Sequence, residues 1–362
     1  MTQHDETPQV EGLDTAAVTG WLQTLDVPVQ EPVRYERIGL GQSNLTYLAT
    51  DASGTRWVLR RPPLGHLLAS AHDVAREHRI LAALQGSGVP VVTVRGLCED
   101  PAVTDVPLLA VDFVEGVTIE EDADAERLSP QQRHILGLSL ARTLAQLHAV
   151  DVEAVGLADL ASHKPYAARQ LRRWAGQWEH SKTRELPEFD RLTRRLVAAM
   201  PPPREIRLVH GDAHIRNVIA DESGEVRALI DWELSTLGEP LADFGSMLAY
   251  WAQAGDPLGP RPAATTLEGF PDHTELSAAY AQESGRDLGD LPFWHALGRW
   301  KVAAIIEGAR RRQLDEPRNA GRGGVLPEGA VDGMVALGHR VADEAGLPGD
   351  GSHADVTAAL AR

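Results

Sequence analysis

Asp212, Asn217 and Asp231 are the residues of this chain best suited by type and spacing to do chemistry. All three lie in the run LVHGDAHIRNVIADESGEVRALID, residues 208–231. Transfer of a phosphoryl group from a nucleotide needs such a set: one carboxylate to accept or orient the proton of the attacking hydroxyl, and an amide oxygen with a second carboxylate to hold Mg²⁺ against the phosphates. His210 and His214, four positions apart, offer a competing metal pair. That spacing joins two ligands only on a helix, Gly211-Asp212 favours a loop, and no cysteine or evident third ligand stands near, so zinc is not expected.

The elements around these residues can position them. Ile206, Leu208 and Val209 read as a short strand, 211–217 as a loop, and Val218–Ala220 with Val226–Ile230 as a hairpin around Glu222-Ser-Gly224. That hairpin is expected to bring Asp231 beside Asn217. Upstream, Asp14 is placed to cap a short helix carrying Val18, Trp21 and Leu22. A strand at 34–38 leads into the run GLGQSNLTYLAT, residues 39–50, with Gly39 and Gly41 between this strand and the next, then a Ser-Gly turn and the strand RWVLRRPP. Backbone N–H groups at such glycines can approach phosphate oxygens closely. Pro62 and Pro63 end the strand. A helix over 71–84 carries Glu77. Strands are predicted at 89–94 and 108–114, with a hinge at 112–116 and a solvated acidic loop at 120–126. Helices follow over 129–148, 166–178 and 188–200. Past Trp251 only the helix 291–312 is legible; Arg310, Arg311 and Arg312 at its end suit the helix dipole, with an anion site for a phosphate-bearing acceptor as the alternative.

The spacing of HGD-x-x-x-x-N matches the catalytic loop H-R-D-x-x-x-x-N of protein kinases, with Asp-Trp-Glu where those have Asp-Phe-Gly. Together with GQSNLTYLAT, WVLRRPP, AHDVAREHRIL, LCED and WELSTLGEPLADFGSMLAYW, it resembles the aminoglycoside phosphotransferase and choline kinase superfamily over most of residues 35–260. The resemblance is to the branch that includes the kinase-like domain attached to some acyl-CoA dehydrogenases. It implies an α+β, protein-kinase-like fold with two lobes: a small β-rich N-lobe over 29–115 and a larger, mostly helical C-lobe over 116–345. An N-terminal tail and short helix (1–28) and a C-terminal tail (346–362) flank them. It further implies Asp212 as catalytic base, Asn217 and Asp231 as Mg²⁺ ligands, and Asp243 as a brace accepting N–H bonds from the catalytic loop. Gly39, Gly41, Ser43 and Asn44 would form the phosphate loop, without the usual third glycine. Glu77 would pair with Arg60, which takes the place of the usual lysine; Arg61 is the alternative. Asp112 and Val114 would present hinge backbone to the nucleotide base. The implied reaction moves the γ-phosphoryl group of ATP or GTP to a hydroxyl of a small molecule, either a metabolite such as a hydroxyacyl-CoA or an antibiotic such as an aminoglycoside or macrolide. A nucleotide-binding pseudokinase acting as a regulatory module is the alternative, and Arg60 is its support.

Composition narrows the classes. Asp plus Glu number 52 against 35 Lys plus Arg, a net charge of −17, which disfavours a general nucleic-acid or anionic-membrane surface. Cys98 is the one cysteine, so no intramolecular disulfide forms, as expected in a cytoplasmic protein. The first residues show neither the basic nor the apolar region of a signal peptide, and no apolar run approaches membrane-spanning length.

Overall fold

A computed structural model describes residues 10–39, 44–64, 73–160, 165–256, 264–316 and 324–349. The chain divides into two compact units: residues 1–116 with 227–233, and 117–226 with 234–362.

The first unit opens with α1 (Thr15–Leu22), whose free N–H groups at Ala16 and Ala17 are taken by the Asp14 carboxylate. Then come β1 (Arg34–Ile38), β2 (Leu45–Thr50), β3 (Arg56–Arg61), α2 (Val74–Leu84), β4 (Val94–Cys98) and β5 (Leu108–Asp112). The five strands make one antiparallel sheet in the order β1-β2-β3-β5-β4. Strand alternation decides what each face carries. On β3, Trp57, Leu59 and Arg61 are buried on the face that packs with Val18 and Leu22 of α1 and Tyr47 of β2. Arg60 therefore points to the other face, where α2 lies. Residues 89–93 do not form the predicted strand, which starts only at Val94. Pro90 has no N–H for a ladder, and the segment instead makes a single bridge, Val91 to Leu229, with the Leu229 N–H on the Pro90 carbonyl.

The second unit begins with α3 (Asp122–Glu126), where a loop was expected. Its acidic residues are used as a capping box: the Asp124 carboxylate takes the N–H groups of Glu120 and Glu121. It continues with α4 (Pro130–Ala149), α5 (Tyr166–Ser181), α6 (Pro187–Ala198), β6 (Arg207–Val209) and β7 (Val218–Ala220). The hairpin of β7 and β8 (Val226–Leu229) leads the chain back to the first unit. After it come β9 (Thr236–Gly238), paired with β6, then α7 (Pro240–Tyr250), α8 (His273–Ser284), α9 (Leu291–Asp315) and α10 (Glu328–Glu344). The sequence reading missed β9, α8 and α10. Buried α9 is central, packing against α5, α6, α7 and α10. Gly245 and Gly298 permit its close approach to α7: a Cβ on Gly245 would stand 2.6 Å from the Trp294 carbonyl carbon. Among the described residues no helix is long and apolar enough to cross a membrane.

Candidate active site

In the second unit, β6 delivers the chain into the loop 210–214. Gly211 sits at φ +85°, and a Cβ there would lie 2.5 Å from the Leu234 carbonyl oxygen, so only glycine fits. The loop's peptide groups are gripped from three elements. From α7, the buried Asp243 carboxylate accepts the N–H groups of His210 (2.7 Å) and Gly211 (2.8 Å). From α9, Lys301 Nζ donates to the Gly211 carbonyl at 3.1 Å. From the stretch before β9, Ser235 Oγ donates to the His210 carbonyl. Asp243 is itself held by His148 of α4, whose Nε2 is 3.2 Å away and whose Nδ1 meets the Tyr280 hydroxyl at 2.8 Å. Burial alone would raise the Asp243 pKa; the His148 hydrogen bond, the His148 and His210 charges and the Gly211 N–H outweigh it and hold it below the usual carboxylate range.

Asp212 emerges from this braced loop with its side chain 23% exposed. Burial raises its pKa, but the His214 hydrogen bond and the charges of His214, Lys301 and His210 bring it down to about 2. Asn217 closes the following turn of 3-10 helix, Ile215–Asn217. Its amide nitrogen donates to the Asp212 backbone carbonyl (2.9 Å) and to Asp212 Oδ2 (3.2 Å). With the NH₂ committed there, Oδ1 is the atom left for a cation. His214 stands 3.4 Å from Asp212 Oδ2, and its ring lies 4.9 Å from that of Tyr250, whose hydroxyl pKa is raised by burial and by the Asp212 charge.

In the first unit, Arg60 Nη1 meets Glu77 Oε1 at 2.8 Å and Nη2 meets Asp231 Oδ1 at 3.0 Å. Arg60, not Arg61, thus faces α2; Arg61 is buried on the opposite face, against the Gly12 carbonyl and Asp105. Burial lifts Glu77 to about 7 despite Arg60, with Asp231 and Glu233 adding to the rise. Asp231 has φ +67°, the one non-glycine residue with positive φ among those described, a conformation that marks functional sites more often than structural ones. Asn44 is buried, and neither amide atom has a partner among the described residues. Gly39 has positive φ, while Gly41 and Ser43 lie outside the described residues. Asp112, expected at the hinge, has two of its groups engaged within the sheet. Its N–H goes to the Thr93 carbonyl and its carboxylate to Arg95 at 2.6 Å, so both are spent within the sheet. Val114, half-buried beyond the end of β5, has no backbone partner for its N–H among the described residues.

Sequence reasoning missed Lys301. A lone lysine between the buried Trp300 and Val302 was a signal, but nothing in the sequence told which loop it reaches. Arg310 is tied to Glu328 and the Leu326 carbonyl, and Arg311 to Asp315, so two of the three arginines are used within the helical unit. Among the described residues no group of three or more His, Cys, Asp or Glu stands together.

The family model described as the phosphotransferase enzyme family matches residues 34–281. The chain belongs to that family. Within it, a crystal structure from Ralstonia eutropha JMP134, provisionally an aminoglycoside phosphotransferase, shares 29% identity, covers 92% of this chain and 99% of its own, and superposes with a TM-score of 0.73. Aminoglycoside 2′-phosphotransferase-IIIa in its GDP complex shares the fold at 17% identity, with a TM-score of 0.57 over 91% of this chain and 96% of its own. The phosphotransferase family's protein-kinase-like fold is therefore the fold of this chain. Among curated proteins, mouse acyl-CoA dehydrogenase family member 10 is 35% identical over 288 residues, which is 78% of this chain and 27% of that protein. The chain thus spans about a quarter of that relative's length.

Proposed function

We propose that this chain is a kinase that moves the γ-phosphoryl group of ATP or GTP onto a hydroxyl of a small molecule. The observation that carries the reading is Asp212: a carboxylate on a loop fixed by Asp243 and Lys301, with the Asn217 amide turned toward it and its pKa lowered to about 2 by the His214 hydrogen bond and nearby charges. Membership of the phosphotransferase family supports it. The GDP complex of a fold neighbour supports a nucleotide donor.

So acidic a carboxylate is a weak proton sink. Its work is to accept the hydrogen bond of the acceptor hydroxyl and aim the oxygen at phosphorus, taking the proton late, as bonding to the nucleophile develops. Asn217 Oδ1 and the Asp231 carboxylate would hold Mg²⁺. Both are hard oxygen donors, and one Asn217 amide face is already committed to Asp212, so the donor set fits that ion. Bound there, the ion would neutralise the phosphates. Arg60, oriented by Glu77, offers a guanidinium to phosphate oxygens, and Gly39, Asn44 and the Val114 N–H supply the remaining nucleotide contacts.

For the acceptor we propose a hydroxyacyl-CoA ahead of an aminoglycoside or macrolide. The acyl-CoA dehydrogenase names of the relatives favour a thioester. The test is nucleotide consumption against a panel of hydroxyacyl-CoAs, aminoglycosides and macrolides. Turnover with hydroxyacyl-CoAs alone is expected; turnover with antibiotics alone would overturn the acceptor. Tight Mg²⁺-nucleotide binding with no turnover on any acceptor would favour the regulatory pseudokinase that Arg60 suggests.

A further inference from the structure

Where α7, α8, α9 and α10 meet, the second unit holds a cavity of about 560 Å³ that the phosphotransfer reading does not use. Its polar wall is Asp256, His273, His295, Arg299 and Arg340; its apolar wall is Leu248, Leu291, Leu337 and Val341. Arg299 is 2% exposed. Its Nε–H donates to His295 Nε2 at 3.2 Å, which puts the His295 proton on Nδ1. Neither Nη makes a hydrogen bond to a described residue, and the nearest carboxylate oxygen, Asp256 Oδ2, is 3.7 Å from Nη2. Arg340, on the rim, has Nη1 3.4 Å from Asp256 Oδ1. Asp256 Oδ2 already accepts the Gln253 N–H at 3.0 Å.

Among the described residues one half-buried carboxylate thus faces two guanidinium groups: it accepts a long hydrogen bond from Arg340 and stays 3.7 Å from Arg299. Glu344 also lines the rim, but it is exposed and its charge is solvated. Both histidines are kept neutral: burial lowers each, Arg299 lowers each further, and His273 adds to the effect on His295. Arg299 itself is lowered to about 10 by burial and so stays cationic at neutral pH. A guanidinium withdrawn from water is costly unless its donors are paired, among the described residues neither Nη of Arg299 is, and its planar fork of donors matches an oxyanion.

We propose that this cavity is a binding site for a small organic anion, its carboxylate or phosphate head on Arg299 and Arg340 and its aliphatic part against Leu248, Leu291, Leu337 and Val341. It shares no residue with the Asp212 site, so its test does not depend on the kinase reading.

Calorimetry on the whole chain without nucleotide tests it, using hexanoate, inorganic phosphate and hexylammonium as probes. Hexanoate or phosphate is expected to bind, and whichever binds names the head group; hexylammonium is not. Arg340→Gln should weaken the anion about tenfold, the usual scale for a charge-assisted contact, and Arg299→Gln should abolish binding. Because Arg299 is buried and that variant could unfold, Arg340→Gln at the rim decides. The proposal is overturned if neither anion binds the wild type, if hexylammonium binds as well as hexanoate, or if Arg340→Gln leaves the anion affinity unchanged.

Discussion

Asp212 sits where charge and burial oppose each other, and charge wins. Replacing it by asparagine keeps the shape and the Asn217 contact but removes the carboxylate proposed to aim the hydroxyl. Turnover should fall about 10²-fold or more, the usual worth of a positioned base, while Mg²⁺-nucleotide affinity holds. Steady-state kinetics with parallel nucleotide titration checks both, and undiminished turnover would refute the role. The depressed pKa also has a stability consequence. A carboxyl lowered from 3.8 to about 2 contributes stability that is fully present above 3.8 and is lost as pH falls toward 2. That contribution is about 2 kcal/mol. The stability gap between wild type and Asp212→Asn should therefore narrow across that acid window, as denaturant titrations at stepped pH would report. Asp212, Asn217, Asp231 and Asp243 were legible in the sequence because local loops and strand ends fix them within a few residues of a motif. His148 reads in the sequence as a packed or hydrogen-bonded residue, and it is one, but its partners were not legible; nor were Lys301 and the His214–Tyr250 contact, because in each case one partner comes from a helix distant in sequence.

At the scale of elements, alternation along β3 is the deciding fact. It buries Arg61 against α1 and turns Arg60 to Glu77 and Asp231. Arg60→Lys restores the more usual residue but cannot span both carboxylates with one compact ammonium, so one of the pairs should be lost. The expected outcome is a weaker fold with nucleotide binding retained; Arg60→Met should lose both, by affinity measurement. Glu77 adds a pH signature of opposite sign to that of Asp212. Raised to about 7, it binds a proton in the folded state that the unfolded chain releases near 4.5, so its burial penalty is present above 7 and disappears below 4.5. The catalytic loop gives the sharpest element-scale prediction. Gly211→Ala must strain a φ of +85° and displace the Leu234 carbonyl. It should cost at least about 1 kcal/mol of stability, more than the entropy a Gly→Ala change returns. Turnover should drop with it, because Asp212 rides on that peptide. Strand β4 shows why such elements are only partly legible: Val89 to Val94 has the composition of a strand, but Pro90 and a single bridge decide its pairing.

For the whole molecule, the question is whether a metal-nucleotide ligand stabilises the fold through Asp231. Asp231→Asn is a suitable probe because asparagine tolerates the left-handed backbone that φ +67° requires, so the turn survives while the charge is lost. A ligand present at about 100 times its Kd stabilises the native state by about 2.7 kcal/mol. Wild-type protein with Mg²⁺ and ATP or GTP should show that gain as a rise in melting temperature, and EDTA should remove most of it. In Asp231→Asn the Mg²⁺-dependent part should vanish, since a neutral amide is a poor substitute for a carboxylate beside a divalent cation. Arg60 makes the comparison more telling. In the ligand-free chain it neutralises Asp231, so the variant loses an ion pair and should melt lower before any nucleotide is added. A variant that melts lower yet keeps the full Mg²⁺-dependent rise would leave Asp231 as a partner of Arg60 alone, and the metal would have to be held by other oxygens.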